Sequence, residues 1–383
     1  MKVALVAPRF HTNQAELVRF FLRNDVNVAF CVTGTGKSED HSDVEPTVIR
    51  VSNALGRFVA AVTDRKMAEF IRSYTWGIPT IAAMRNVGLS RGDGVIIRNP
   101  FTMVGMTFAL YARFRGVVIL LYTQRAAHSP RRGFRHIAIE FYIRLLRAAW
   151  ITPCAGAPEH PRPVRRLYYV PFCARPQAYE KVWFRNGVVN IICVGKFVAR
   201  KNHLLLLEAL AALSDQYRFS LTLVGEVSDV TGSATIESVR ERLRSVKFPV
   251  ELETNVSRER IGQLYGNSDL FVLPARDEPA SVSNLEAMAF GLPVITSSSN
   301  KTSCYTDNNG FIFLSDSLTD LVRVLSLALS NREDLKRMGK RSVHLVCERH
   351  SPDRVYAGVL GFLRGAGFSG LEFSDRILSG SRE

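Results

Sequence analysis

The chain has 383 residues, 46% of them apolar, which is the composition of a globular protein of roughly two to three domains and excludes a disordered or fibrous chain. It contains no run of about 18 uncharged apolar residues, because the most apolar segment, residues 101–122, is interrupted by Arg113 and Arg115. The net charge is +15, and all of this excess lies in residues 1–185, which predicts that one domain contacts an anionic surface, either a membrane or a nucleic acid.

The six cysteines are scattered without a CxxC pair, which predicts reduced, mostly buried thiols, a cytoplasmic compartment and no zinc site. The sequence MKVALVAPRF at the start has one lysine and too short an apolar stretch for a signal peptide. We therefore interpret it as the first β-strand.

Apolar runs alternate with helical patterns through the first half, which predicts a parallel sheet flanked by helices. Strands are predicted at residues 2–8, 26–32, 44–51, 94–99, 117–122, 151–154 and 168–172, and helices at 14–23, 57–73, 101–115 and 131–150. The polar loop at residues 34–43 contains GTGK but lacks the full spacing of a phosphate-binding loop, so we assign it no such role. Residues 9–13 follow the first strand, where ligands of parallel sheets bind, which makes His11 and Asn13 candidates for contact with a substrate.

Residues 131–150, RRGFRHIAIEFYIRLLRAAW, have an unusually wide apolar face for a helix. Its narrow polar sector consists of His136, Glu140, Arg144 and Arg147. Its apolar positions are Phe134, Ile137, Ile139, Phe141, Ile143, Leu145, Leu146 and Trp150. Either this helix docks on anionic lipid headgroups, with Arg131, Arg132 and Arg135 ahead of it, or it is buried between the sheet and a neighbouring helix.

A polar stretch at residues 174–187 predicts a linker, after which a second strand–helix series begins. Strands are predicted at residues 189–194, 219–225, 250–253, 270–273, 294–296 and 311–314, and helices from 202 and at 236–246, 260–265, 281–290, 318–329, 332–348 and 352–363. Ser257 is the predicted N-cap of the helix at 260–265, and Ser281 or Ser283 of the helix at 281–290.

Two carboxylates eight positions apart, Glu278 and Glu286, bracket the start of the helix at 281–290. The first amides of a helix lack intrahelical partners and carry partial positive charge, which suits a phosphate, while ionised carboxylates suit hydroxyl groups. A ligand with hydroxyls at both ends and phosphate between them is a nucleotide sugar. The alternative is that both glutamates are solvated surface charges.

The segment from Glu278 to Val294, EPASVSNLEAMAFGLPV, resembles the E-x7-E signature of family 4 retaining glycosyltransferases, including its EAMAxGLPV end. The resemblance implies that Glu278 binds sugar hydroxyls and Glu286 the nucleotide ribose. It also implies that the backbone of Ser281, Val282 and Ser283 faces the diphosphate.

Residues 195–201 resemble the family's segment whose Arg and Lys neutralise the leaving diphosphate. By that resemblance Lys196 and Lys201 take this role beside the turn at Gly195. Lys196 replaces the family's arginine, so this position supplies a point charge rather than the bidentate hydrogen bonds of a guanidinium. Gly225 and Glu226 occupy the position of a loop that faces the nucleotide.

In the first domain the resemblance extends only to the order of strands and helices. The family's usual glycine pair is absent after the first strand, and where many members place a histidine near the reacting sugar carbon, this chain has Tyr122 and Gln124, with His128 as the candidate for that role.

The sequence therefore predicts an α/β protein with two Rossmann-like domains facing across a cleft. The predicted parts are an acceptor-binding domain at 1–173, a nucleotide-sugar-binding domain at 187–351, a helix at 352–366 that crosses back to the first domain, and a tail at 367–383. The predicted activity is retaining transfer of a hexose-type sugar from a UDP-, GDP- or dTDP-linked donor, without metal or cofactor. The predicted acceptor is a lipid-linked or lipopolysaccharide-type saccharide, on the inner face of the cell membrane.

Two other functions remain open. A sugar-nucleotide epimerase or phosphorylase with the same fold would act without an acceptor. A nucleic-acid-binding protein would account for the charge of +15, but no zinc spacing, RNP motif or basic-aromatic interleaving supports it, so we expect no nucleic-acid partner.

Overall fold

The computed structural model describes residues 1–10, 12–35, 43–52, 77–128, 133–156, 166–177, 180–227, 230–301 and 305–365, and the elements below are numbered within these ranges. They form two compact units, one of Met1–Pro171 with the chain from Pro352 onward and one of Phe172–Ser351. The predicted helix at 57–73, the tail at 367–383, His11, Arg131, Arg132 and Cys304 lie outside the described residues, as do the side chains of Asn13 and Arg135.

The first unit is built on a parallel sheet. Its strands are β1 (Lys2–Ala7), β2 (Asn27–Val32), β3 (Thr47–Val48), β6 (Gly94–Arg98), β7 (Val118–Tyr122), β8 (Ala149–Thr152) and β9 (Leu167–Tyr169), and a separate antiparallel pair consists of β4 (Val51–Ser52) and β5 (Ile78–Pro79). The order in the sheet is β3-β2-β1-β6-β7-β8-β9. Both faces of its central strands are buried, as is usual for parallel sheets, which explains their continuous apolar sequences.

The strand predicted at residues 44–51 is instead split. Thr47 and Val48 extend the edge of the parallel sheet, whereas Val51 and Ser52 pair antiparallel with Ile78–Pro79. The amide of Ile49 still donates to the carbonyl of Val32 at 2.7 Å, so the chain leaves the sheet directly after this bond.

The described helices of the first half are α1 (Thr12–Arg23), α2 (Ile81–Asn86), α3 (Met103–Phe114) and α4 (Gly133–Leu146). Asn13, predicted in a loop, is therefore in the first turn of α1. Thr102 caps α3, since its hydroxyl accepts a hydrogen bond from the amide of Gly105 at 3.1 Å.

Trp150 was wrongly predicted on the apolar face of the helix at 131–150. Helix α4 ends at Leu146 because Arg147 adopts a left-handed conformation with φ of 53°, and β8 begins two residues later. Trp150 is buried in β8, where its indole nitrogen donates to the hydroxyl of Thr123 at 2.9 Å.

The second unit contains a second parallel sheet. Its strands are β10 (Val189–Val194), β11 (Phe219–Gly225), β12 (Val250–Thr254), β13 (Leu270–Leu273), β14 (Val294–Ser297) and β15 (Gly310–Phe313), in the order β12-β11-β10-β13-β14-β15. Its helices are α5 (His203–Ala211), α6 (Val230–Leu243), α7 (Arg258–Asn267), α8 (Val282–Ala289), α9 (Leu318–Ser330) and α10 (Arg332–Leu345), the last extended by a π-helical turn at Val346–His350. Helix α6 begins and ends earlier than the predicted 236–246.

Alternate residues of β10 face opposite sides of this sheet. Ile191 and Cys193 belong to one apolar cluster, and Ile192 and Val194 to another. The strand is thus fixed on both faces, which holds the loop that follows it in place.

The helix Pro352–Leu363 (α11) belongs to the first unit. The ring of Tyr356 on α11 lies 5.8 Å from the ring of Phe20 on α1. Within the described ranges, no helix combines the length and apolarity that a membrane span requires.

Candidate functional site

The candidate site lies at the carboxyl ends of β10 and β13. From β10 the chain continues outward to β11 and β12 on one side and then returns to β13 on the other side. Such a reversal leaves a crevice outside the strand ends, where open parallel sheets bind ligands. The two loops that border this crevice carry Lys201 and Glu278.

Lys201 and Glu278 form a buried ion pair. The Lys201 Nζ lies 2.6 Å from the Glu278 Oε2, and both side chains are largely removed from solvent. Lys201 ends the short helical turn Ala199–Lys201, and Asn202, left-handed with φ of 54°, starts α5 directly after it. The backbone carbonyl of Glu278 accepts from the amide of Lys301 at 2.9 Å, so this loop is held at a second point.

Gly195 gives Lys201 the room to reach this position. A Cβ atom at residue 195 would lie 3.2 Å from the Cδ and Cε atoms of Lys201, a distance at which the lysine stem would have to shift. A residue with a side chain at position 195 would therefore displace Lys201, which explains why glycine occupies the predicted turn.

Arg200 is a residue that the sequence analysis missed. Its guanidinium contacts the same Oε2 atom of Glu278 as Lys201 does, and its carbonyl accepts from the amide of Arg276 at 2.7 Å. Two cations thus converge on one carboxylate. In the sequence Arg200 is noticeable only as the neighbour of Lys201. Its contact with Glu278 could not be predicted, because the Glu278 loop is distant in the chain.

Lys196 and Glu226 connect the ends of β10 and β11. The Lys196 Nζ lies 2.8 Å from the Glu226 Oε2, and both side chains are partly exposed. A Cβ on Gly225 would lie 2.2 Å from the carbonyl oxygen of Gly195, so only glycine allows the two loops to approach this closely. The structure therefore brings Gly195, Lys196, Gly225 and Glu226 together.

The start of α8 is capped as predicted by Ser281. Its hydroxyl accepts from the amide of Asn284 at 3.2 Å and lies 3.2 Å from the hydroxyl of Ser283. The loop that carries Glu278 leads directly into α8, whose first residues are Val282 and Ser283. This helix start is thus on the crevice side of β13.

Glu286 lies on α8 with Tyr265 and Arg258 of α7. The Tyr265 hydroxyl is 3.4 Å from the Glu286 Oε2 and 3.2 Å from the carbonyl of Ser283, while the Arg258 guanidinium is 3.8 Å from the Glu286 Oε1. Burial raises the pKa of Glu286 above its ordinary value, and Arg258 opposes that rise. Tyr265 was missed by the sequence analysis because only the fold brings α7 beside α8.

His203 is buried at the first position of α5. Its ring stacks on Phe197, with centroids 4.9 Å apart. Burial, and secondarily the charge of Lys201, lowers the pKa of His203 to about 4, so the imidazole is neutral at physiological pH.

Three candidates in the first unit, Tyr122, Gln124 and His128, lie at or after the end of β7. The guanidinium of Arg98 lies 5.5 Å from the ring centre of Tyr122, and burial raises the pKa of Tyr122 to about 12. Gln124 follows, and His128 forms a parallel bridge with Gly156. The roles predicted for Tyr122, Gln124 and His128, and for Asn13 on α1, remain predictions.

Residues 179–344 match the family model for glycosyl transferases group 1. These residues make up less than half of the chain and are similar in sequence to group 1 glycosyltransferases. The predicted resemblance to two-domain glycosyltransferases and the predicted fold class are confirmed, although these comparisons do not distinguish family 4 from family 1.

Individual proteins support the same assignment. The chain is 27% identical over 135 residues to mannosylfructose-phosphate synthase of Agrobacterium fabrum, a match that covers 34% of this chain and 29% of the synthase. It spans less than half the length of the curated relatives that it matches.

Solved structures extend the fold likeness to nearly the whole chain. Sucrose-phosphate synthase from Thermosynechococcus elongatus superposes with a TM-score of 0.70 at 15% identity, over 95% of this chain and 98% of that one. Anabaena HepE in complex with UDP and glucose gives a TM-score of 0.66 at 13% identity, over 95% and 100%. The two units thus have the glycosyltransferase B fold.

Proposed function

We propose that this protein is a retaining glycosyltransferase that moves a hexose-type sugar from a nucleotide diphosphate sugar to a saccharide acceptor. The observation that carries the proposal is the Lys201–Glu278 pair in the crevice at the ends of β10 and β13. A carboxylate that binds sugar hydroxyls and an ammonium group that binds a diphosphate must be neighbours, because the transferred bond joins sugar to phosphate.

The reaction breaks the bond between the anomeric carbon and the oxygen of the β-phosphate. An acceptor hydroxyl forms the new bond to that carbon on the same face, and its proton passes to the departing phosphate oxygen. Negative charge grows on the diphosphate during this step, so preorganised cations lower the barrier more than they strengthen ground-state binding. Lys201, Arg200 and Lys196 are the cations assigned to this role.

Lys201 serves two partners at once in this scheme. An ammonium group has three N–H donors, of which one holds Glu278 and the others are directed to diphosphate oxygens. The same contact holds the Glu278 carboxylate in place, so that its oxygens accept hydrogen bonds from sugar hydroxyls. Arg200 adds a planar guanidinium group, able to form two parallel hydrogen bonds, beside Lys201. This group compensates for the guanidinium that is lost where lysine replaces arginine at residue 196.

At the other end of the donor, Glu286 is assigned to the ribose hydroxyls. Its contacts with Tyr265 and Arg258 orient the carboxylate for this purpose. The amides at the start of α8, at Val282 and Ser283, are assigned to the diphosphate. The complex of Anabaena HepE with UDP and glucose supports a donor of this class.

The acceptor is assigned as a lipid-linked or lipopolysaccharide-type saccharide at the cytoplasmic face of a membrane. Two features support this assignment: residues 1–185, most of which belong to the first unit, hold the entire net charge of +15, and α4 presents large apolar side chains to solvent. His128, Tyr122 and Gln124 are the candidates for contact with the acceptor and the reacting sugar.

A thermal-shift screen of nucleotide sugars tests the proposal, because only a ligand that binds the folded state raises the melting temperature. We expect one UDP-, GDP- or dTDP-sugar to raise it, and Glu278→Gln to weaken this shift. The exposed Glu208→Gln on α5 is the matched control and should retain it.

The donor found in this way is then incubated with saccharide acceptors, and the anomeric configuration of the product is determined by NMR. Retention of configuration is expected. Conversion of the donor to an epimer without acceptor, or phosphate-dependent cleavage, would instead identify an epimerase or a phosphorylase.

A further inference from the structure

Helix α4 exposes one complete apolar stripe. Phe134, Ile137, Phe141 and Leu145 are 84%, 65%, 68% and 52% exposed, and their spacing of three to four residues puts them on one face of the helix. A different face, with Ile143 and Leu146 each 1% exposed, packs into the core of the first unit. The exposed stripe therefore packs little against the described residues of this unit.

Helix α3 enlarges the apolar surface. Leu110 is 39% exposed and Phe114 is 88% exposed. The Arg113 Nε donates to the carbonyl of Leu145 at 3.4 Å, which places the end of α3 beside the end of α4. We call Leu110, Phe114, Phe134, Ile137, Phe141 and Leu145 the α3–α4 patch. Clusters of large exposed apolar side chains are typical of interaction sites rather than of ordinary surfaces.

The segment of sequence that carries the patch is strongly basic. Residues 94–158 contain nine arginines and a single acidic residue, Glu140. Arg144 and Arg147 are exposed on and directly after α4, and Arg113 lies at the end of α3. A partner must therefore be both apolar and anionic.

We propose that the α3–α4 patch docks on an anionic lipid bilayer, with the phenylalanines between the headgroups and the arginines on lipid phosphates. Amphipathic surfaces with bulky apolar groups and flanking arginines bind lipid interfaces in this manner. A second copy of the chain fits less well, because dimerisation through the patch would bring two sets of arginines together. Nucleic acid would leave the apolar side chains unmatched. The inference rests on the proposed function only for its purpose, which is access to a lipid-linked acceptor.

Liposome flotation of the full chain tests the proposal. We expect strong binding to vesicles that contain phosphatidylglycerol and at least tenfold weaker binding to vesicles of phosphatidylcholine alone. The double variant Ile137→Glu, Phe141→Glu should reduce binding to the anionic vesicles by at least tenfold. Leu327→Glu is the matched control, since Leu327 is 48% exposed on the helix α9 of the second unit, and it should float as the wild type does.

Three measurements separate the outcomes. Equal melting temperatures of the double variant and the wild type would establish that the variant folds, and nucleotide-sugar binding, followed by thermal shift, should be unchanged in it. If the double variant floats like the wild type, the proposal is wrong. If gel filtration shows that the wild type is a dimer and the double variant a monomer, and neither floats, the patch is a contact between copies and the proposal is also overturned. Failure of every nucleotide sugar to bind would refute the proposed function while leaving the flotation result intact.

Discussion

The ammonium group of Lys201 lies 2.6 Å from a carboxylate oxygen of Glu278, and these two residues are separated by 77 positions along the chain. Each is carried by a loop that follows a buried strand, β10 for Lys201 and β13 for Glu278. Because the two strands are adjacent and parallel, their loops emerge on the same side of the sheet. The contact is therefore a consequence of strand order.

Removal of either member of this pair should abolish most transfer without unfolding the protein. In Lys201→Ala the growing diphosphate charge loses a preorganised donor, for which we expect a decrease in kcat of about 100- to 1,000-fold. Glu278→Gln should have an effect of similar size, because an amide presents only one acceptor oxygen to the sugar. Initial rates with the donor identified above measure both, and Glu208→Gln serves as control. Rates near that of the wild type in either variant would refute the site assignment.

Arg200 remains beside Glu278 in Lys201→Ala, so the buried carboxylate keeps one cationic partner. The melting temperature of this variant should therefore fall only modestly. Arg200→Ala, in which Lys201 remains, should lower kcat less than Lys201→Ala does.

Tyr265→Phe should weaken donor binding more than it slows the chemical step. The substitution removes the hydroxyl beside Glu286 but keeps the ring, which stacks on Phe290 with centroids 5.4 Å apart. A hydrogen bond to a charged group contributes about 1.5–3 kcal/mol, so we expect KM for the donor to rise about 10- to 100-fold with little change in kcat. A decrease in kcat at constant KM would contradict the assignment of Glu286 to the nucleotide.

Gly225→Ala should destabilise the second unit and reduce donor binding together. The new Cβ would lie 2.2 Å from the carbonyl oxygen of Gly195, so the loops after β10 and β11 would have to separate. Gly262→Ala is the control, since its Cβ would meet only Phe290, at an ordinary 3.5 Å, and helix α7 should gain up to about 1 kcal/mol from the alanine. Thermal unfolding with and without the donor compares the two, and equal melting temperatures would contradict the predicted clash.

His203 should make the protein less stable as the pH falls from 6.5 toward 4. Its pKa in the folded state is about 4, below the ordinary 6.5, so in this window the unfolded chain binds a proton that the folded chain excludes. Above pH 6.5 the titration of His203 has little effect on the free energy of unfolding. Between pH 7 and pH 5 it lowers that free energy by about 2 kcal/mol.

The variant His203→Phe tests this relation. It retains a ring against Phe197 but cannot titrate, so its free energy of unfolding should fall less between pH 7 and pH 5 than that of the wild type. Urea unfolding at the two pH values measures the difference. His350, whose pKa burial also lowers to about 4, leaves some pH dependence in both proteins. Identical pH dependence in the two would show that His203 is accessible to protons in the folded state.

Local patterns in the sequence were sufficient to predict most of the strands and helices of the second unit. The apolar run of β13 and the serine caps of α7 and α8 depend on neighbours in the chain, and the caps at Ser257 and Ser281 are confirmed. The end of α4 was missed because Arg147 adopts the left-handed conformation without the glycine or asparagine that usually marks it.

Partners distant in the chain could not be predicted in the same way. The approach of Arg200 to Glu278 and of Tyr265 to Glu286 depends on which strands and helices become neighbours, and no single segment records that choice. The resemblance to a known family predicted roles for Glu278, Glu286 and Lys201, which remain predictions, but it contained no information on Arg200.

The pairing of β10 with β13 also affects how the protein is made. Ile192 of β10 pairs with Phe271 of β13, whereas the intervening strands are added on the opposite side of β10. A nascent chain that has emerged only as far as α7 can assemble β10 with β11 and β12, but the edge of β10 that β13 will occupy is still open. During synthesis on the ribosome, the unpaired edge of β10 can pair with a strand of another chain and aggregate until β13 has emerged.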